Sequence, residues 1–176
     1  MNYFKVILLS LILLTVCSCN SDKRASSDGD LSEKQQDSTR ITRKDIAKFK
    51  YVDYGLSNTA KGKISDWQQY QELSTQMEFL KQGDLSFFSG NDSLVKAFVN
   101  DLRADAPAVI NNPIVKARLT AFETKALKLN SIISLNGTTK KELLTSIEDV
   151  LITVSVLNLQ INKKFELDAN NINKPL

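Results

Sequence analysis

From Trp67 to Phe165, large apolar residues return at steps of three and four. That spacing gathers them on one face of a helix; a half-buried strand would need a step of two. The clearest run is Val115, Leu119, Phe122, Ala126, Leu129 and Ile133, which steps by 4, 3, 4, 3, 4. Three further stripes read the same way: Trp67, Tyr70, Leu73, Met77 and Leu80; Leu94, Val95, Phe98, Val99 and Leu102; and Ile147, Val150, Val154, Leu157, Ile161 and Phe165.

The punctuation between the stripes agrees. Ser65-x-x-Gln68 has the form of a capping box ahead of the first helix, and Gly83 follows its last turn. The link "DLSFFSGND" carries Phe87 and Phe88, and Asp92 or Ser93 caps the second helix, which ends near Pro107. Asn112-Pro113 starts the third, with proline at the first helical position, where its missing N–H does no harm. Gly137 ends that helix, and Thr139-x-x-Glu142 is a second capping box. With only six glycines and three prolines the chain is poor in the turns that a sandwich or barrel needs. The expected fold is all-α: an antiparallel four-helix bundle-like domain over residues 45–167. The spacing near 3.5 suits the shallow crossing of such bundles. Residues 45–62 stay open. Phe49, Tyr51, Val52 and Tyr54 suit a strand, whereas Ile46, Phe49 and Val52 suit a short helix. The aromatics there are expected to pack on the body. Residues 168–176, "DANNINKPL", read as a loose tail.

Residues 20–44 hold almost no large apolar side chain and mix Ser, Asp, Lys, Gln and Arg. Such a segment buries too little surface to offset its ordering entropy. It reads as a flexible tether with an r.m.s. span of about 25–30 Å and a full reach of about 80 Å. Ahead of it, Lys5 precedes an apolar run from Val6 to Val16, broken only by Ser10 and Thr15. Eleven residues fall within the roughly 7–15 of a signal-peptide core and short of the roughly 18 or more of a spanning helix.

The run ends in Val16-Cys17-Ser18-Cys19. This resembles the lipobox of bacterial lipoproteins, an aliphatic residue and two small ones before a cysteine. The resemblance covers the first nineteen residues or so. It implies cleavage after Ser18, so that residues 1–18 are a lipoprotein signal peptide and residues 19–44 a lipidated N-terminus and tether. It implies that Cys19 carries the diacylglyceryl group and further acyl chains such as palmitate. Cys17 fits less well, since Val16 would then stand before the cut in place of a small residue. One acyl chain holds marginally, and two or more hold stably. Asn20 follows, and the lack of an acid there favours the outer membrane over the inner, with the body facing the periplasm or the cell surface.

The composition removes much chemistry. The chain has no histidine, so it lacks the commonest metal ligand and neutral-pH proton shuttle. The two cysteines cannot complete a tetrahedral metal site, and Met77 alone is a plausible haem thioether. No Gly-rich phosphate loop occurs, and a net charge of +3 is too small to argue for nucleic acid. No cofactor or metal is expected, and no catalytic residue. Glu123, Glu148 and Asp149 stand beside Lys125, Lys140 and Lys141, where solvated charge is the default. Asn158, Asn162 and Glu166 form a polar row at i, i+4, i+8 beside Leu157, Ile161 and Phe165. Such a row fixes helix register or lines a polar groove, and register is the favoured account. Arg118 and Arg103 offer guanidinium groups for pairing across helices or for an anion.

The expected function is that of a lipid-anchored, non-enzymatic helical binding or interaction module of the cell envelope. Its partners would be membrane lipid through Cys19 and an envelope protein or small ligand. The alternatives are a structural or assembly lipoprotein of an envelope complex, or a hydrolase that works with carboxylates.

Overall fold

The computed structural model describes residues 40–171, and every regular element among them is helical. In chain order these are α1 (Arg43–Ile46), α2 (Asn58–Lys63), α3 (Gln68–Lys81), α4 (Asp92–Ala104), α5 (Pro113–Ser134) and α6 (Lys140–Asn171). Single 3-10 turns, Ser86–Phe88 and Ala108–Ile110, join α3 to α4 and α4 to α5. The signal peptide, Cys19, most of the tether and residues 172–176 lie outside the described residues.

Local chemistry explains most of the boundaries. Asn112 caps α5, its side-chain oxygen accepting from the N–H groups of Ile114 and Val115 at 2.9 and 3.0 Å, with Pro113 at the first position. Thr139 and Glu142 form the expected reciprocal box ahead of α6, the Thr139 N–H donating to Glu142 at 2.9 Å and the Glu142 N–H to the Thr139 hydroxyl at 3.2 Å. The α4 cap is Asn91, one residue earlier than read from the sequence. At the end of α3, Gly83 sits at φ +89°, and the Asp84 N–H reaches the Phe79 carbonyl at 3.1 Å. This is a Schellman close. Glycine is required there twice over, because a Cβ would stand 3.0 Å from the Ile41 carbonyl oxygen.

The start of α3 departs from expectation. Ser65 does not cap it; its hydroxyl turns back to the Gly62 carbonyl and to Asp66. Trp67 takes the cap position without a side-chain cap bond. Packing decides this boundary. The indole is 1% exposed, and its Nε1–H donates to the Leu102 carbonyl at 3.1 Å, tying the start of α3 to the last turn of α4. At the other end of the chain, α6 continues to Asn171, through residues read from the sequence as a loose tail. Phe165, 7% exposed, anchors its late turns, and a Lys164–Asp168 pair spans one turn beyond.

The most extensive helix pairing is α5 on α6, followed by α4 on α5; α3 also packs on α4, and α1 and α2 lie on α6. One continuous core results. Phe122, Leu129, Ile147, Leu157 and Ile161 are fully buried, as are Leu73, Leu80 and Leu102. Each such side chain contributes about 1.5–3 kcal/mol. By length and composition α6 could cross a membrane, yet Ile147, Val150, Leu151, Val154, Leu157, Ile161 and Phe165 belong to this core. Buried Asn130 of α5 donates to the carbonyls of Phe88 and Gly90 at 2.7 and 2.8 Å, fixing the α3–α4 connection against α5. Ion pairs cross the helix junctions: Arg103–Glu123 at 2.7 Å between α4 and α5, and Lys125–Asp149 at 2.8 Å between α5 and α6.

α1 is only four residues long; buried Ile46 seats it on the core, and an ion pair ties it to α6. Thr42 and Asp45 form a capping box, and Asp45 meets Lys140 of α6 at 2.9 Å. Hydrogen bonding to Lys140, and then to Thr42, lowers the Asp45 carboxyl from 3.8 to about 2. A carboxyl depressed by folding contributes stability that is full above its unfolded value and is lost as pH falls through the folded one. The urea midpoint of the wild type should therefore exceed that of Asp45→Asn by a constant margin above about pH 5, and the margin should close between pH 3.8 and about 2. A margin that persists unchanged at pH 2 would show that the ion pair is not its source.

Candidate functional site

Residues 50–57 carry neither helix nor strand, yet five of their backbone N–H and C=O groups are bonded to side chains. The partners are side chains of α6. The Ser155 hydroxyl donates to the Val52 carbonyl at 2.6 Å and accepts from the Tyr54 N–H at 2.8 Å. The Asn158 amide donates to the Tyr54 carbonyl at 2.9 Å. The Asn162 amide donates to the Gly55 carbonyl at 2.8 Å, and its oxygen accepts from the Ser57 N–H at 2.8 Å. Ser155, Asn158 and Asn162 stand at i, i+3, i+7, a single face of α6. They form a ladder that straps this segment along the helix, in the same direction as α6. The Ser57 side chain then caps α2 by accepting from the Ala60 N–H at 3.1 Å.

The strap forms one wall of an open cleft of about 640 Å³ between α3 and α6. Tyr70 and Met77 of α3, with Leu151, Val154 and Ser155 of α6, are its buried residues. Gln71, Ser74 and Glu78 of α3 are exposed around it, and Asp53 and Tyr54 come from the strap. Helical period explains the α3 contribution: Tyr70, Ser74, Met77 and Lys81 step by 4, 3, 4 along one face. The cleft lies where α3 and α6 fail to pack closely. It spans the size of ordinary small-ligand sites, about 300–1,000 Å³.

Its electrostatics are balanced internally. The Lys81 ammonium sits 2.8 Å from both Asp53 and Glu78, joining the strap to α3. Burial pushes the Lys81 pKa down, but the hydrogen bonds to Asp53 and Glu78 outweigh it and leave the value raised. Burial pushes the Tyr70 phenol up. It therefore stays protonated at neutral pH and donates to Asn158 at 2.6 Å. Asn158 thus uses its oxygen for α3 and its amide for the strap.

Of the residues singled out from the sequence, Asn158 and Asn162 meet in the ladder, and Asn158 also lines the cleft. Glu166 is exposed one turn beyond Asn162, and Arg118 is exposed on α5; neither lines the cleft. Arg103 bonds Glu123 and Thr120. Phe49 and Tyr51 pack against the core, whereas Tyr54 remains 38% exposed at the cleft. Glu123 and Asp149 are each paired with a cation across a helix junction. Among the described residues no three acidic or sulfur-bearing side chains gather as a metal-holding group. Sequence reasoning missed Ser155 and Tyr70. Ser155 was findable as the residue three before Asn158 and seven before Asn162, on the same helix face.

No family model matches the chain, and neither the curated proteins nor the solved structures contain a match to it.

Each ladder residue has its own amide reporter. Ser155→Ala should speed hydrogen exchange at the Tyr54 amide, and Asn162→Ala at the Ser57 amide. Each should lower stability by about 1 kcal/mol, as loss of part-exposed hydrogen bonds does. Exchange at α5 core amides should rise by no more than about fivefold, the change that a loss of about 1 kcal/mol produces through global unfolding. Protection at Tyr54 and Ser57 that survives both substitutions would refute the ladder.

Proposed function

We propose that this protein is a lipid-anchored, non-enzymatic binding module whose ligand site is the cleft between α3 and α6. The observation that carries the reading is the cleft itself, with its buried apolar residues, exposed polar rim and a wall held in place by side-chain hydrogen bonds. Pockets of this size, with apolar lining and a few placed polar groups, are the usual form of a ligand site. The lining lacks a paired nucleophile and base, and the Asp53 and Glu78 carboxylates are bridged by Lys81, which argues for holding a ligand over transforming it.

The helical arrangement inferred for the body is an up-and-down antiparallel bundle of α3, α4, α5 and α6. Short connections and packing between helices that follow one another in sequence support it. In such a bundle α3 and α6 form the closing seam, and the strap together with the cleft occupies it.

The anchor rests on Val16-Cys17-Ser18-Cys19 and the polar segment after it. Acyl chains on Cys19 would hold the body at the envelope, at the outer membrane in the reading given by Asn20. Cys19→Ala should abolish incorporation of radiolabelled palmitate and release the chain to the soluble fraction, and Cys17→Ala should leave both intact. Labelling that persists in the first variant and vanishes in the second would move the anchor to Cys17.

The cleft has its own test. Ser74 is exposed on α3, so Ser74→Trp should fold normally and fill the cleft. Wild-type and substituted chains, each exposed to the small-molecule fraction of a solubilised envelope and then repurified, should differ by mass spectrometry in one retained compound. Equal retention, or none in either, would argue against the cleft as the site.

A further inference from the structure

We propose that the cleft takes a neutral polyhydroxylated ligand, a short oligosaccharide; this rests on the reading of that cleft as the binding site. Charge is the first filter. The ionisable side chains lining it are Asp53, Glu78, Lys61 and Lys81, apart from the phenols of Tyr54 and Tyr70, so two negative charges offset two positive ones. Lys81 bridges both carboxylates. An anion drawn to Lys61 would also meet the Asp53 and Glu78 carboxylates, and a cation drawn to those carboxylates would also meet Lys81 and Lys61. Neither gains a net field from the site.

Polarity is the second filter. Gln71 and Ser74 supply amide and hydroxyl groups that both donate and accept, and Ser65, whose O–H is engaged with Gly62 and Asp66, supplies an acceptor oxygen. A wholly apolar ligand would strip water from these groups and return no hydrogen bond. The carboxylates add acceptors of the right kind. Lys81 engages Oδ2 of Asp53 and Oε1 of Glu78, which leaves Oδ1 and Oε2 without a partner among the described residues and able to accept from ligand hydroxyls.

The third filter is the apolar part. Met77, Leu151 and Val154 lie in the cleft, and the part-exposed Tyr54 ring stands beside them. These surfaces suit the C–H face of a pyranose, and the rim suits its hydroxyls. A sugar carries both within one ring, and a volume of about 640 Å³ leaves room for more than one ring.

The test uses the full chain, purified in a detergent without a sugar headgroup, and isothermal titration calorimetry. The probes are cellotriose, maltotriose and chitotriose, set against glucose 6-phosphate, laurate and trialanine. At least one neutral trisaccharide should saturate the protein. Ser74→Trp should weaken that binding at least tenfold, and Gln71→Ala should weaken it severalfold. If no neutral trisaccharide saturates, the proposal is overturned. If glucose 6-phosphate, laurate or trialanine binds instead and Ser74→Trp abolishes it, the cleft stands as a site and the saccharide assignment falls. Trisaccharide binding that Ser74→Trp leaves unchanged removes both.

Discussion

The seam between α3 and α6 depends on one helix face that bonds a backbone. α6 gives one side to α5, where Ile147, Leu157 and Ile161 are fully buried. Another side carries Ser155, Asn158 and Asn162, which bond five backbone groups of residues 52–57. A segment with neither helix nor strand partners has no internal route to satisfy its N–H and C=O groups, and buried ones left bare are costly. The ladder supplies that route. Without it the strap would lose its position on α6, and with it the Asp53–Lys81 bridge and a wall of the cleft. The cleft is therefore a consequence of how α6 treats the strap.

Much of the helical body was legible from residue spacing. The 4, 3, 4, 3, 4 stripe of α5 and the capping box at Thr139 both report local physics, in which partners lie within a turn or two. The strap was not legible because its partners are remote: Tyr54 meets Ser155 at a separation of 101 residues, and Gly55 meets Asn162 at 107. No periodicity in residues 45–62 encodes a hydrogen bond to a helix that far along the chain. Of the polar row Asn158, Asn162 and Glu166, the two asparagines meet the strap and Glu166 stands exposed beyond it. Counting by fours led from Asn162 to Glu166, whereas the helix face that meets the strap runs back through Ser155. Ser65 misled for a related reason. Its capping signature was genuine as a local preference, yet the burial of Trp67 and its bond to the Leu102 carbonyl set where α3 begins. Tertiary packing outweighs a cap of about 1 kcal/mol.

Three side chains join elements that the helix stripes leave apart. Trp67 ties α3 to α4, Asn130 ties the turn at Phe88 to α5, and Tyr70 ties α3 to Asn158. Each is buried and commits its polar group to a partner on another element, Asn130 to two carbonyls, so it specifies position. Ser146 is the contrast. Its hydroxyl is buried with no partner among the described residues. It sits on α6 one residue before Ile147, and a buried hydroxyl left without a partner is a cost to the fold.

Charge in this molecule is arranged to cancel locally. Asp45 is matched by Lys140, Glu123 by Arg103, Asp149 by Lys125 and Lys128, and Asp53 with Glu78 by Lys81. Pairs of this kind on a surface contribute little to stability, about 0–1 kcal/mol each. Their larger effect is on what the surface attracts. Around the cleft, where Lys81 bridges Asp53 and Glu78, this leaves recognition to short-range hydrogen bonds and apolar contact, which act only once a ligand is already near. If the body is held at a membrane by its tether, as proposed above, anchoring would confine the search to a layer near the surface and supply the proximity that long-range attraction would otherwise provide.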